Sequence, residues 1–340
     1  MMAAVCKAPF PYFGGKSRPA PLVWSRFGDV RNYVEPFFGS GAILLARPTP
    51  FEGAETVNDL DGLLCNFWRA LQAAPQEVAA WADWPVSELD LYARQKRLIE
   101  WKLPLTERLR VDETYFDAKA AGWWVWGICQ WIGGGWCGSC TVAKKRPYLR
   151  SGGCGVLSER VDGRRLHLGR PYAVHASPKR KRSFLSSGGM GTHRISSRDS
   201  LGSCFEAFAA RLRYVRVCCG DWSRVCGPTP TYFHSGITGV FLDPPYAVEA
   251  GRAPNLYNED APGLSADVRQ WAIEAGKHPD MRVALCGYEG EHEMPADWDC
   301  VAWHAAGGYS RLGSGLGREN RHRERIWFSP ACVRGQPKLF

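Results

Sequence analysis

The sequence predicts an α/β fold: a Rossmann-like, largely parallel sheet whose chain is interrupted by a basic, mostly helical and loop-forming insertion. Three observations carry the prediction. Two short strand candidates near the N-terminus each end in an acid and precede a helix. The strand–acid pattern then stops, and returns only near residue 214. Positive charge is concentrated between the two halves. Strand, glycine turn, helix, strand, acid, helix is the βαβ arrangement that places a ligand at the carboxyl ends of parallel strands.

The elements follow in order. Residues 31–35 form a strand candidate ending in Glu35, residues 36–41 a turn, and residues 42–46 begin a helix. Residues 56–59 are a second strand ending in Asp59, followed by a helix over 62–74. Residues 75–205 do not continue the alternation. It resumes with a strand at 214–218 and Asp221 just beyond, a strand at 239–243, a helix at 266–275 and a strand at 282–286. The expected organisation is a discontinuous catalytic domain, 1–75 and 206–335, split by an inserted domain at 76–205. A length of 340 residues suits two domains at roughly 100–200 residues each.

Composition narrows the class. With 45% apolar and 23% charged residues the chain can bury a core. It has no run of about 18 apolar residues and no charged-then-apolar leader, so neither a membrane span nor a secretory signal is expected. Thirteen scattered cysteines, an odd number, suit reduced thiols and a cytoplasmic location rather than a disulfide framework.

The net charge of +9 resides in one segment. Residues 141–200 hold fourteen Lys and Arg against Glu159, Asp162 and Asp199. Lys144, Lys145, Arg146, Arg150 and the run Lys179, Arg180, Lys181, Arg182 lie among Gly-rich turns, the footprint expected of phosphate-backbone binding. A solvated surface insertion is the plainer alternative. Trp123, Trp124, Trp126, Trp131 and Trp136 just upstream could stack on bases, but for most of them a helical core is the better reading.

Two constellations carry chemistry. Gly39-Ser40-Gly41 supplies two glycines of a dinucleotide fingerprint, but Leu44 stands at the third position, which argues against NAD and for a smaller ligand across the strand ends. Glu35 and Asp59 could accept from ribose hydroxyls or pair with an ammonium; an ordinary turn with two solvated acids is the alternative. More specific is Asp243-Pro244-Pro245-Tyr246 after the apolar strand. Two prolines fix φ twice and remove two N–H groups, leaving carbonyls free beside an acid and an aromatic face. Two acceptors beside a stacking face suit the exocyclic amino group of a planar base. A bare Pro-Pro kink leaving a strand is the competing reading.

Other groups are less organised. Cys137 and Cys140, with Cys154, His167 and His175, lack a second Cys-x-x-Cys pair and regular spacing, so no metal is expected. Cys218, Cys219 and Cys286 read as core thiols. None of the eight histidines falls in a nucleophile–base arrangement, which leaves hydrolase chemistry unsupported.

In order along the chain stand Pro11-Tyr12-Phe13-Gly14-Gly15-Lys16, Val34-Glu35-Pro36-Phe37-Phe38-Gly39-Ser40-Gly41 and Asp243-Pro244-Pro245-Tyr246. This resembles the Dam-like (alpha-type) site-specific DNA N6-adenine methyltransferases, in which the target-recognition domain precedes the Asp-Pro-Pro-Tyr strand. Gly307-Gly308-Tyr309-Ser310 and residues 323–328 are similar to that family's closing strand region. The resemblance implies an S-adenosylmethionine-dependent enzyme acting on DNA. By position it implies that Tyr12 and Lys16 line the cofactor and active-site pocket, and that Glu35, Phe37, Gly39 and Gly41 form the cofactor turn. Asp59 would bind the ribose and Asp221 would lie near the cofactor adenine, while Asp243, Pro244, Pro245 and Tyr246 would hold the target adenine. No base-reading residue transfers. RNA adenine or cytosine N4 as target, and a nucleic-acid-binding relative without catalysis, are the alternatives. A solitary methylase of phage or prophage origin and one half of a restriction–modification pair look alike in one chain, so a cognate restriction endonuclease stays open as a partner. A monomer in a bacterial or phage-infected cytoplasm suffices for the chemistry.

Overall fold

The structure, a computed structural model, describes residues 8–12, 14–49, 51–131, 136–138, 201–232, 236–247, 263–304 and 320–334. Its centre is β1 (Asn32–Glu35), whose four residues are all buried, as expected of a strand with parallel neighbours on both sides and helices on both faces. On one side lie β2 (Ala54–Asp59) and β3 (Val215–Cys219); on the other β4 (Thr238–Leu242), β5 (Met281–Tyr288), β7 (Glu324–Phe328) and β6 (Asp299–Ala302). The order is β3-β2-β1-β4-β5-β7-β6. The first five strands run parallel and β7 is antiparallel to both β5 and β6. This is the predicted Rossmann-like α/β sheet. The order reverses between β1 and β4, and a crevice at the carboxyl ends beside such a switch point is where ligands bind in open α/β sheets.

Side-chain alternation survives in the buried strands and divides the core. Tyr33 and Phe241 join one cluster; Val34, Val240 and Leu242 join the other. The first takes α1 (Ala20–Phe27), α2 (Ala42–Leu45), α3 (Gly62–Ala73), α4 (Pro75–Ala82), α6 (Ala118–Gln130) and α7 (Leu201–Leu212), with α5 (Glu88–Val111) against α3 and α6. The short α8 (Pro228–Tyr232) lies against β1, and the second cluster is covered by α9 (Leu264–Ala275) through Val268 and Ala272. The helices start where the sequence caps them. The side chains of Asp61, Ser87 and Asp117 accept from the amides of Leu63, Asp90 and Ala120 at the starts of α3, α5 and α6.

The tryptophan-rich stretch belongs to this core. Trp124 and Trp126 are buried, as are Trp131 and Trp136, and Trp124 meets Phe10 edge to face at 5.1 Å. Trp123 is half-buried and stacks on Trp101 at 5.7 Å. α4 and α6, which follow α3 in the chain, share their apolar faces with α3 and α7. Two thiols depart from expectation. Cys218 and Cys219 are only half-buried, since β3 is the last strand of the sheet among the described residues; Cys286, on interior β5, is buried as read. The candidate DNA-binding residues Lys144, Lys145, Arg146, Arg150, Lys179, Arg180, Lys181 and Arg182, together with Cys140, Cys154, His167, His175 and residues 307–310, lie outside the described residues.

One ion network ties the two parts of the sheet layer together. Glu55 on β2 is buried and accepts from Arg47 at 3.0 Å and from both terminal nitrogens of Arg211 at 2.7 and 2.8 Å. Arg47 also donates to the Val30 carbonyl and Arg211 to that of Leu44. The ring of Phe51 lies against both guanidinium groups. Arg211 comes from α7, which the chain reaches only after residue 200, so the network fastens the returning chain to the first βαβ unit. Removing the shared carboxylate leaves two guanidinium groups facing each other in a largely buried site. Glu55→Ala is expected to lower the urea-unfolding free energy by about 3–5 kcal/mol. Lys277→Ala, which removes an exposed pair with Glu274, should change it by about 1 kcal/mol or less.

Candidate functional site

The first half of the site is the turn after β1. Gly39 and Gly41 have φ of +49° and +66°, the left-handed region that glycine occupies without strain. A Cβ at Gly39 would stand 2.9 Å from the Tyr12 ring, and one at Gly41 2.8 Å from the Phe38 ring. Both the dihedral and the close approach therefore require glycine. Leu44, which departs from the dinucleotide fingerprint, is buried in the core beneath the turn.

The turn is held by the end of β2. The Gly39 amide donates to Asp59 Oδ2 and the Asp61 amide to Asp59 Oδ1, both at 3.0 Å. Asn58, which the sequence reading passed over, donates from Nδ2 to the carbonyls of Pro36 and Gly220 at 3.1 and 2.9 Å. One amide thus joins the ends of β1, β2 and β3. Its Oδ1 is buried and has no partner among the described residues. Beyond β3, Asp221 accepts from Ser223 N at 2.9 Å and caps a short 3-10 turn, Trp222–Val225. Trp222 stacks over Phe37 with ring centroids 6.3 Å apart.

The second half is the Asp243-to-Tyr246 run after β4. Lys16 is buried and its ammonium donates to the Gly14 carbonyl at 2.8 Å while standing 2.7 Å from Asp243 Oδ1. The same ammonium lies 5.2 Å from the centre of the Tyr246 ring and 5.6 Å from that of Trp303. Tyr246 is itself buried; its hydroxyl donates to Glu324 Oε2 at 2.9 Å and its ring meets Tyr288 edge to face at 4.7 Å. The next amide, Ala247 N, donates to Glu291 Oε1 at 2.7 Å. Glu291 also accepts from Ser265 Oγ at 2.7 Å and Tyr288 N at 2.9 Å. Glu324, Glu291 and Trp303 were not foreseen. Their partners are 78, 44 and hundreds of residues away in sequence, and no local pattern announces such pairs.

Tyr12, Lys16, Glu35, Phe37, Gly39, Asp59, Asp221, Asp243 and Pro245 line a single cavity at the carboxyl ends of the strands. Gly41, Pro244 and Tyr246 stand outside its lining. Asp61 and Asn58 join the lining unforeseen. Among the described residues the charged groups on its wall are Glu35, Asp59, Asp61, Asp221 and Asp243 against one cation, Lys16.

Burial sets the protonation of these acids. It pushes Glu35 well above the usual carboxylate range, while the Tyr33 hydroxyl, 2.8 Å from Glu35 Oε2, pulls it back and Asp243 adds to the rise. Asp59 is pushed up to about 6 by its enclosure, with the Asp61 and Gly39 amides acting in opposition. Asp243 and Glu324 are raised by burial too, and in both Lys16 pulls downward. Such an arrangement can hold a cationic ligand and orient a nitrogen that donates hydrogen bonds.

Among the described residues no group of three or more His, Cys, Asp or Glu is placed to hold a metal ion, and no helix is long and apolar enough to cross a membrane. No curated protein matches the chain. The match that exists spans the N-terminal motif, the glycine turn and Asp59: residues 12–116 fit the family model described as the D12 class N6 adenine-specific DNA methyltransferases, consistent with the Dam-like resemblance of the motifs.

Proposed function

We propose that this protein is an S-adenosylmethionine-dependent, site-specific DNA methyltransferase that methylates N6 of a flipped-out adenine. The observation that carries the reading is the Lys16 ammonium. It stands 2.7 Å from Asp243 and 5.2 Å from the centre of the Tyr246 ring. These are the acceptor and the aromatic ring that an exocyclic amino group would use.

The cavity fits the cofactor by its donor set. The left-handed glycine turn brings backbone close to the ligand, the Asp59 carboxylate on the cavity wall can accept from a ribose hydroxyl, and Asn58 Oδ1 is a buried acceptor with no partner among the described residues. Phe37 and Trp222 supply flat apolar faces. The excess of carboxylates on the wall suits a ligand that carries a sulfonium and an ammonium. When bound, S-adenosylmethionine supplies an electrophilic methyl group.

The chain's residues do the rest. Asp243 and the Pro244 carbonyl accept the two amino hydrogens of the base, which turns the nitrogen lone pair outward. As positive charge grows on that nitrogen both acceptors bind it more strongly, so the transition state gains more than the ground state. A carboxylate held above its ordinary range is also a better acceptor for the proton the methylated nitrogen must shed. Extruding the base costs a few kcal/mol, and stacking at Tyr246 would offset roughly 1–3 kcal/mol of that. Phosphate contacts are assigned to Lys144, Lys145, Arg146, Arg150 and Lys179 to Arg182, and target recognition to the segment that contains them.

Expression in a methylation-free bacterial host, followed by genome-wide mapping of modified bases, tests the reading. N6-methyladenine at one short motif is expected, with loss of at least about a hundredfold in Asp243→Ala. N4-methylcytosine, or no modified DNA from folded protein, would overturn it.

Two pH effects follow. Lys16 pulls Asp243 toward ionisation, so its removal raises that pKa and a higher pH is needed to charge the carboxylate. The acid limb of the kcat/KM profile should therefore move to higher pH in Lys16→Met. Asp59 must be ionised to accept from a ribose, and in the free protein it titrates at about 6. Calorimetric affinity for S-adenosylmethionine should hold above that pH and fall about tenfold per unit below it. Asp59→Asn should weaken binding and abolish this limb.

A further inference from the structure

We infer that Glu324 is a positioning residue for the target base: it tethers the Tyr246 ring in place through the Tyr246 hydroxyl. The inference rests on the reading that the base is held at Tyr246.

Glu324 opens β7 and is buried. Its Oε2 accepts from Tyr246 Oη at 2.9 Å, and its backbone carbonyl accepts from Trp303 N at 3.2 Å. One residue therefore carries hydrogen bonds from both aromatic residues whose rings lie nearest the Lys16 ammonium, at 5.2 and 5.6 Å. A carboxylate buried at a strand start is less favourable than an apolar residue unless it is paired and hydrogen-bonded. Here the hydrogen bond comes from the Tyr246 hydroxyl, a group of the site rather than of the core.

One consequence follows from the placement. A ring tethered at its hydroxyl and flanked by Tyr288 cannot swing away from the site, so it stands at one fixed position for an incoming base. Glu324 thus acts through Tyr246, without touching the base.

The test is a mutant cycle in the full chain: wild type, Glu324→Ala, Glu324→Gln, Tyr246→Phe and the double variants. Three readouts are taken: methylation kinetics, fluorescence of 2-aminopurine in place of the target adenine, and thermal unfolding. Glu324→Ala should lower kcat about tenfold or more and reduce the fluorescence rise that reports base extrusion. Glu324→Gln should stay within about threefold of wild type, because its amide oxygen still accepts from the tyrosine. In the Tyr246→Phe background, Glu324→Ala should cost less than about threefold more, since the contact is already gone. Should the alanine variants fail to fold, Tyr246→Phe and Glu324→Gln decide it: Tyr246→Phe should lower kcat and the fluorescence rise while Glu324→Gln does not, and a Tyr246→Phe as active as wild type would overturn the positioning role. Fully additive losses, or a glutamine variant as impaired as the alanine one, would overturn the positioning role. An active wild type with an equally active Glu324→Ala would overturn the inference alone. A folded wild type that methylates no DNA would overturn the functional reading and the inference with it.

Discussion

Two acids end neighbouring strands at the switch point of the sheet, and much of the site is arranged around keeping them there. β1 and β4 pair in parallel, with Val34 opposite Val240, so Glu35 and Asp243 both emerge at the carboxyl edge. Asp243 raises the proton affinity of Glu35 in a region that burial has already made unfavourable for charge. The surroundings answer with distinct devices. Tyr33 donates to Glu35 from within β1, and Lys16, delivered by the segment before α1, pairs with Asp243.

The backbone around these acids is fastened by side chains rather than by further sheet. Asp59 and Asn58 at the end of β2 hold the glycine turn after β1 and the Gly220 bend after β3. Glu291 does the same for the chain just past Tyr246. Loops leaving a parallel sheet have backbone groups with no ladder to join. Binding them to charged or amide side chains fixes the loops while leaving the cavity between them open. The Glu55 network plays the corresponding part lower down, where it joins α7 to β2.

What could be read in the sequence was local. The strand ends, the glycine turn and the Asp243-to-Tyr246 run each announce themselves within eight residues or so, through fixed φ, missing N–H groups and apolar runs. Nine of the twelve residues assigned to cofactor and catalysis line one cavity. Glu324 and Glu291 were invisible because their significance lies in partners brought near by strands far apart in the chain. The position of residues 76–130 was hidden for a related reason. An apolar helical face declares that it will be buried, but not against which core, and here α4 and α6 pack on α3 and α7. The thiols of Cys218 and Cys219 were misread because an apolar strand shows its pattern equally well at the edge of a sheet and at its centre.

The separation of charge along the chain has its own logic on the proposed reading. The cavity wall is acidic, whereas the segment 141–200 holds the chain's surplus of positive charge. A polyanionic duplex is repelled by the first and attracted by the second, so electrostatics alone would hold DNA at the basic segment and keep phosphates out of the cavity. A single adenine is uncharged and suffers no such exclusion. Extruding it admits to the acidic cavity the one part of the nucleotide whose amino group needs acceptors, while the phosphates remain outside. On that reading the acidic wall favours neutral, hydrogen-donating bases over phosphates, and Lys16, the one cation on that wall among the described residues, steadies Asp243 without inviting a phosphate.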